Sequence, residues 1–200
     1  MSQFIESICC IDGELQLLEL HQARVNRAFF TNYGLLARPM KLSKIIRNIP
    51  RKGTYKCRVV YDKENFDCTF KPYQKPKVGS LQLVEGGDID YKFKYTNRSG
   101  LDELFAQRKE ADDIIIVKNG CITDSHFANL AFYDGEEWWT SDQPLLEGVR
   151  RQSLIDQRQL QVRQISIQDL ASFEKCCLIN AMLDLGQIEI PIPSIRSSSK

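Results

Sequence analysis

Lys94 lies in Tyr91-Lys92-Phe93-Lys94-Tyr95, where the alternation of an extended chain sets the two lysines on one face and the aromatic rings on the other. A lysine kept close to aromatic surface gives up its proton more readily, as an imine-forming amine must. A solvated lysine on a strand edge would show the same pattern. Arg24 is stranger. It shares a helical face with His21, Val25, Ala28 and Phe29, at i, i+3, i+4, i+7 and i+8, and so belongs to an apolar stripe. A buried guanidinium without a partner costs on the order of several kcal/mol. Arg24 therefore needs an anion, and either a phosphate or a carboxylate from the core would serve.

Two further places could take part. Gly148-Val149-Arg150-Arg151 opens a helix, where free N–H groups and the positive end of the dipole suit a phosphate, although most helix starts bind nothing. Asp124 follows the turn Asn119-Gly120 at the end of a strand, a carboxylate that could serve chemistry or simply cap a turn or helix. The only histidines, His21 and His126, are far apart and lack zinc-ligand spacing, so no metal site is expected.

The elements that must position these groups are legible in outline. Residues 4–10 read as a strand, Asp12-Gly13 as a tight turn and residues 15–18 as the returning strand, before the helix that carries Arg24. Leu42, Ile45, Ile46 and Ile49 mark a second amphipathic helix, stopped by Pro50. Residues 55–61 and 66–70 form a second hairpin, and residues 80–85 a third strand of the same small α+β unit. Gly86-Gly87-Asp88 marks the boundary, giving a small domain over residues 1–86 and a larger one over residues 87–200.

In the larger domain Leu101, Leu104, Phe105 and Arg108 suggest a helix over residues 97–109. Residues 114–117, the turn Asn119-Gly120 and residues 121–123 give the strongest hairpin signal in the chain. Residues 130–133, Asp134-Gly135 and residues 137–140 repeat that arrangement. A helix opens at Gly148-Val149, a shorter one lies near residues 166–173, and a strand runs over residues 176–180. The Ser-rich end, residues 194–200, reads as a loose tail.

Hydrophobic residues at 42% and charged residues at 26% describe a folded globular protein rather than a disordered chain or a coiled coil. Lys and Arg number 27 against 26 Asp and Glu, so no overall field draws the protein to nucleic acid or an anionic membrane. Any anion must be held locally. No leader pattern or membrane span is visible, and a cytoplasmic location is expected. The seven cysteines, with adjacent pairs Cys9-Cys10 and Cys176-Cys177, read as reduced thiols packed as small hydrophobes.

In order and spacing these features resemble the fold-type IV pyridoxal-phosphate (PLP) enzymes, the class IV aminotransferases, over most of the chain. Phe4-Ile5-Glu6-Ser7-Ile8, Asp12-Gly13 and Leu17-Leu18-Glu19-Leu20-His21-Gln22-Ala23-Arg24 are similar to the family's opening, whose His-x-x-Arg helix gives an arginine to the cofactor phosphate. Lys94-Tyr95-Thr96-Asn97-Arg98 resembles the Lys-x-x-Asn-Arg segment of the aminodeoxychorismate lyase branch. Residues 112–120 and Ile122-Thr123-Asp124-Ser125-His126-Phe127-Ala128-Asn129-Leu130 resemble the hairpin that ends in an acidic residue and Asn-Leu. Residues 144–151 resemble the Leu-x-Gly-Ile/Val-x-Arg turn, and Leu178-Ile179-Asn180-Ala181 the late strand that closes the phosphate pocket.

The resemblance implies an α+β fold, with a small α+β domain, a larger pseudo-barrel domain and the cofactor in the cleft between them. It implies PLP held by Lys94 as a Schiff base, its phosphate by Arg24, Gly148, Val149 and Arg150, with Asn180 and Ala181 at the same pocket, and its ring charge by Asp124. It implies a small-molecule amino substrate and a homodimer. Two reactions share this machinery: release of pyruvate from 4-amino-4-deoxychorismate to give 4-aminobenzoate, and transamination of a branched-chain or D-amino acid. The sequence also departs from the family. Asp124 stands where glutamate is usual, Ala181 where many relatives have Ser or Thr, and Asp62-Lys63-Glu64-Asn65 replaces a Gly-rich segment.

Overall fold

The computed structural model describes residues 3–197, which fall into two compact units. The first holds the chain up to Gln74 together with Phe93–Asn97; the second holds Lys75–Lys92 and the chain from Arg98 onward. The boundary expected at residue 86 lies inside the second unit.

In the first unit β1 (Phe4–Ile11) turns Phe4, Glu6 and Ile8 inward. It returns through Asp12 and Gly13, whose φ of 49° and 92° suit a tight two-residue turn, into β2 (Glu14–Leu15). The returning strand is thus shorter than residues 15–18. Leu17, at φ 54°, takes a left-handed conformation that ends extended pairing and leads into α1 (Leu18–Tyr33). The buried residues of α1 are His21, Arg24, Val25, Ala28 and Phe29, the stripe expected from spacing. The second helix is a single turn, α2 (Leu42–Ile45): Ile46 is extended and Asn48 has φ 55°, so Ile46 is buried without being helical. The hairpin of β3 (Thr54–Tyr61) and β4 (Phe66–Pro72) completes an antiparallel sheet of order β2-β1-β3-β4. Phe4, Ile8, Val25, Phe29, Leu42, Cys57, Val59 and Tyr61 form its core, and burial of a side chain the size of Phe29 contributes about 2–3 kcal/mol.

In the second unit β5 (Leu81–Glu85) precedes α3 (Ser99–Phe105), which ends in a 3-10 turn over Ala106–Arg108 instead of running to residue 109. Next come β6 (Asp113–Lys118), β7 (Cys121–Ser125), β8 (Asn129–Tyr133), β9 (Trp138–Ser141), α4 (Val149–Asp156) and β10 (Gln161–Arg163). A 3-10 turn, Gln168–Ser172, stands where a short helix was expected, followed by β11 (Lys175–Ile179), β12 (Glu189–Pro191) and β13 (Ile195–Arg196). β5 belongs to this sheet and not to the first hairpins: it pairs in parallel with β6, reached by the crossover that contains α3. Nothing in its local pattern shows that choice. The run Ile114 to Val117 is at most 1% exposed, so β6 is buried on both faces. Ile195 and Arg196, expected in a loose tail, pair in parallel with Leu81 and Gln82, and the last three residues of that tail lie outside the described residues. All seven cysteines are free thiols.

Candidate active site

The first unit gathers four of the groups. Ile5 N–H donates to the Lys94 carbonyl at 2.9 Å and Thr96 N–H to the Gln3 carbonyl at 2.9 Å, so the lysine segment adds itself to the edge of β1. Only this stretch is paired; residues 91–95 do not form the continuous strand that alternation suggested. The rings of Phe93 and Tyr95 pack on Phe4 at 6.5 and 5.5 Å, which fixes the backbone on either side of Lys94 and leaves the lysine half-buried.

Arg24 has the carboxylate that its burial required. Its Nε donates to Glu6 Oε1 at 2.9 Å and its Nη2 to Glu6 Oε2 at 2.5 Å, a two-point fork. His21 Nδ1 lies 2.5 Å from the same Oε2, and Glu6 and His21 are both 0% exposed. Burial alone would raise the Glu6 carboxyl, but the Arg24 charge and the hydrogen bonds from His21 and Arg24 bring it down to about 2. His21 is lowered by burial first, and the charges of Arg24 and Lys94 add to that against the pull of Glu6. It is neutral at pH 7, so Nδ1 carries the proton donated to Glu6, and Nε2 is buried with no hydrogen-bond partner among the described residues.

The second unit holds the acid and the helix start. Asp124 pairs across from Asn129, the single register pair that joins β7 to β8, and Ser125 N–H closes the intervening loop onto the Ala128 carbonyl at 2.8 Å. Asn129 Nδ2 donates to Asp124 Oδ1 and to the Leu146 carbonyl, each at 2.8 Å, and Leu146 N–H donates to Asp124 Oδ2 at 2.9 Å. Burial is the largest influence on Asp124; it outweighs these hydrogen bonds and the Arg151 charge, and pushes the carboxyl up to about 6. Asp124 does cap a turn, but a carboxyl held this high also suits a cationic partner.

The same turn delivers α4. Gly148 precedes the helix and has no side chain with which to cap it. A Cβ there would stand 1.9 Å from Asn129 Oδ1, so glycine is demanded by the close approach of that side chain. Arg151 Nη2 donates to the Ser141 carbonyl at 2.8 Å, and Arg150 pairs with Asp184 at 3.3 Å. The Nε atoms of both arginines are buried without a hydrogen-bond partner among the described residues. Asn180 Nδ2 reaches the Phe127 carbonyl at 3.4 Å and its Oδ1 accepts from Met182 N–H at 2.8 Å; Ala181 follows it, half-buried. Within the second unit Arg98 Nη2 donates to the His126 carbonyl at 2.7 Å. Lys94, Arg24, Glu6 and His21 therefore belong to one unit, and Asp124, Gly148, Val149, Arg150, Asn180 and Ala181 to the other. Among the described residues no group of His, Cys, Asp and Glu could hold a metal, and no helix is long and apolar enough to cross a membrane.

A profile of the class IV amino-transferases matches residues 3–190. The chain belongs to that family. It is 36% identical over 186 residues to an uncharacterized protein of Haemophilus influenzae, covering 91% of this chain and 98% of that one. A crystal structure from Haemophilus somnus, provisionally named a 4-amino-4-deoxychorismate lyase, is 32% identical with a TM-score of 0.87, covering 92% of this chain and 98% of the other. A provisionally named amino-acid aminotransferase from Mesorhizobium loti, 18% identical with a TM-score of 0.79 over 99% and 100% of the two chains, shares the fold.

This class IV aminotransferase is an α+β, PLP-dependent enzyme. Its residues fit that cofactor. In the first turn of α4 the Nε atoms of Arg150 and Arg151 are buried with bonding capacity unspent among the described residues, as suits an anion holder. Glu6 and Asn129 are the residues that sequence reasoning overlooked. Glu6 gave a signal, a carboxylate at an inward position of an alternating strand; Asn129 gave none beyond its place in the Asn-Leu motif.

Proposed function

We propose that this enzyme is a 4-amino-4-deoxychorismate lyase, releasing pyruvate and 4-aminobenzoate for folate synthesis. The observation that carries the reading is the likeness to the Haemophilus somnus protein over nearly the whole of both chains, supported by Lys94-Tyr95-Thr96-Asn97-Arg98. PLP, when bound, would supply an electron sink for the charge that develops on the substrate carbon bearing nitrogen. Lys94 would hold the cofactor through its Nζ in the resting enzyme, and the freed Nζ would take the proton from that carbon. Arg24, Gly148, Val149 and Arg150 hold the phosphate, near Asn180 and Ala181. Asp124 keeps the proton on the ring nitrogen through a charge-assisted bond. A homodimer and a cytoplasmic location belong to this reading and rest on it.

Transamination of a branched-chain or D-amino acid is the second reading, favoured by the fold shared with the Mesorhizobium loti protein. The PLP-loaded enzyme should be offered aminodeoxychorismate beside a panel of amino and keto acids. Release of 4-aminobenzoate is the expected result. Exchange of an amino group without that release would establish the second reading, and silence on every substrate would point to a PLP-fold binding protein.

A further inference from the structure

Asp124 and Asn129 stand directly opposite each other in the register pair that joins β7 to β8, so their side chains leave the sheet on the same face and meet. Both are 5% exposed. The Asn129 amide nitrogen spends both of its hydrogens there: one goes to Asp124 Oδ1 and the other to the Leu146 carbonyl, each at 2.8 Å. Leu146 answers with its own N–H, which donates to Asp124 Oδ2 at 2.9 Å. The three residues thus close a ring of hydrogen bonds in which each carboxylate oxygen meets a donor. Turning the amide over would set Asn129 Oδ1 against two acceptor oxygens, so the network fixes its orientation. Oδ1 lies instead against Gly148, where a Cβ would come within 1.9 Å of it.

We propose that Asn129 is a positioning residue for Asp124: its amide nitrogen holds the carboxylate in one orientation and ties it to the turn that leads into α4. The consequence for catalysis rests on the reading above, in which Asp124 serves the cofactor ring. A carboxylate free to swing would meet a ring nitrogen in many orientations; one held at both oxygens meets it in one. The bond also favours the ionised form. Burial is the largest influence on the Asp124 carboxyl and raises it; among those that act against burial the Asn129 hydrogen bond comes first, ahead of the Leu146 N–H and the charge of Arg151 on α4.

The test reads Asp124 itself, in the cofactor-free protein. With isotope-labelled aspartate, the Asp124 carboxyl carbon is followed by NMR across pH and identified by its loss in Asp124→Asn, with thermal unfolding measured in parallel. In Asn129→Leu, which keeps the volume and removes the donor, the Asp124 midpoint should rise by about one pH unit, or tenfold in proton affinity. Asn129→Ser, with a single shorter donor, should shift it less in the same direction, and it carries the test should the leucine variant fail to fold. A midpoint that stays in place or falls, while stability drops, would make Asn129 merely structural and overturn the proposal. Turnover of PLP-loaded Asp124→Asn separates the layers: if it stays within a few-fold of the parent, Asp124 does not serve the ring and the underlying reading fails, whereas the hold of Asn129 on the carboxylate stands or falls by the titration alone.

Discussion

Glu6 and Asp124 are both carboxylates taken almost wholly out of water, at 0% and 5% exposure, yet Glu6 titrates at about 2 and Asp124 at about 6. The difference lies in their partners. Glu6 meets a guanidinium in a fork and a histidine N–H, and the nearby charge overcomes the cost of burial. Asp124 meets the Asn129 side-chain amide and the Leu146 backbone N–H, which satisfy its oxygens without neutralising it. One acid is complete within its own unit. The other feels the Arg151 charge but has no cation bonded to its oxygens, and a pyridinium is the kind of partner that would supply one.

The two acids should differ most when Glu6 is removed. Glu6→Ala strips the anion from a buried guanidinium, so the cofactor-free protein should lose about 3–5 kcal/mol, seen as a large drop in the denaturation midpoint. A loss below about 1 kcal/mol would mean that Arg24 finds water or another anion easily. At Asp124 the expected damage is to turnover. Asp124→Asn should still bind PLP, because the phosphate contacts remain, but should lose turnover on the order of a hundredfold, since an amide cannot hold the ring proton. Activity within a few-fold of the parent would make Asp124 a turn cap alone.

Gly148→Ala tests the link between that acid and the helix start. The new Cβ would fall 1.9 Å from Asn129 Oδ1, so Asn129 must yield and its bond to Asp124 with it. A stability loss of about 1–3 kcal/mol is expected, together with weaker PLP binding. The smallest effect is electrostatic. A carboxyl raised when folded favours folding fully below its unfolded pKa, and that contribution is lost as pH rises through the folded value of about 6. From pH 7 down to pH 5, cofactor-free parent protein should therefore gain about 1 kcal/mol relative to Asp124→Asn. Glu6 behaves oppositely: its contribution is present above the unfolded pKa and fades as pH falls toward about 2. A parent–variant difference that does not change with pH would remove the contrast between the two acids.

The local settings of Arg24, Gly148 and Asp124 could be read from the sequence because each breaks or punctuates a local pattern: a cation in an apolar stripe, a glycine at a helix start, an acid after a hairpin. The hairpins at Asp12-Gly13 and Asn119-Gly120 were legible for the same reason, since positive φ has a residue signature. What escaped was non-local. The parallel pairing of β5 with β6 and β13 moved the unit boundary, and no short-range pattern encodes a crossover partner. The excursion of Phe93–Asn97 onto β1 depends on the aromatic contacts to Phe4 rather than on strand alternation. Glu6 could be suspected from its inward register, whereas Asn129 shows its role only when its single amide is seen bridging Asp124 and Leu146.

Every role proposed for the site depends on Lys94 carrying the cofactor. The purified protein, loaded with PLP and reduced with borohydride, should be digested and the phosphopyridoxyl group located by mass spectrometry. The label is expected on Lys94, with a yellow absorbance that reduction abolishes and that Lys94→Ala never shows. A label on Lys92, or no label after incubation with PLP, would contradict it.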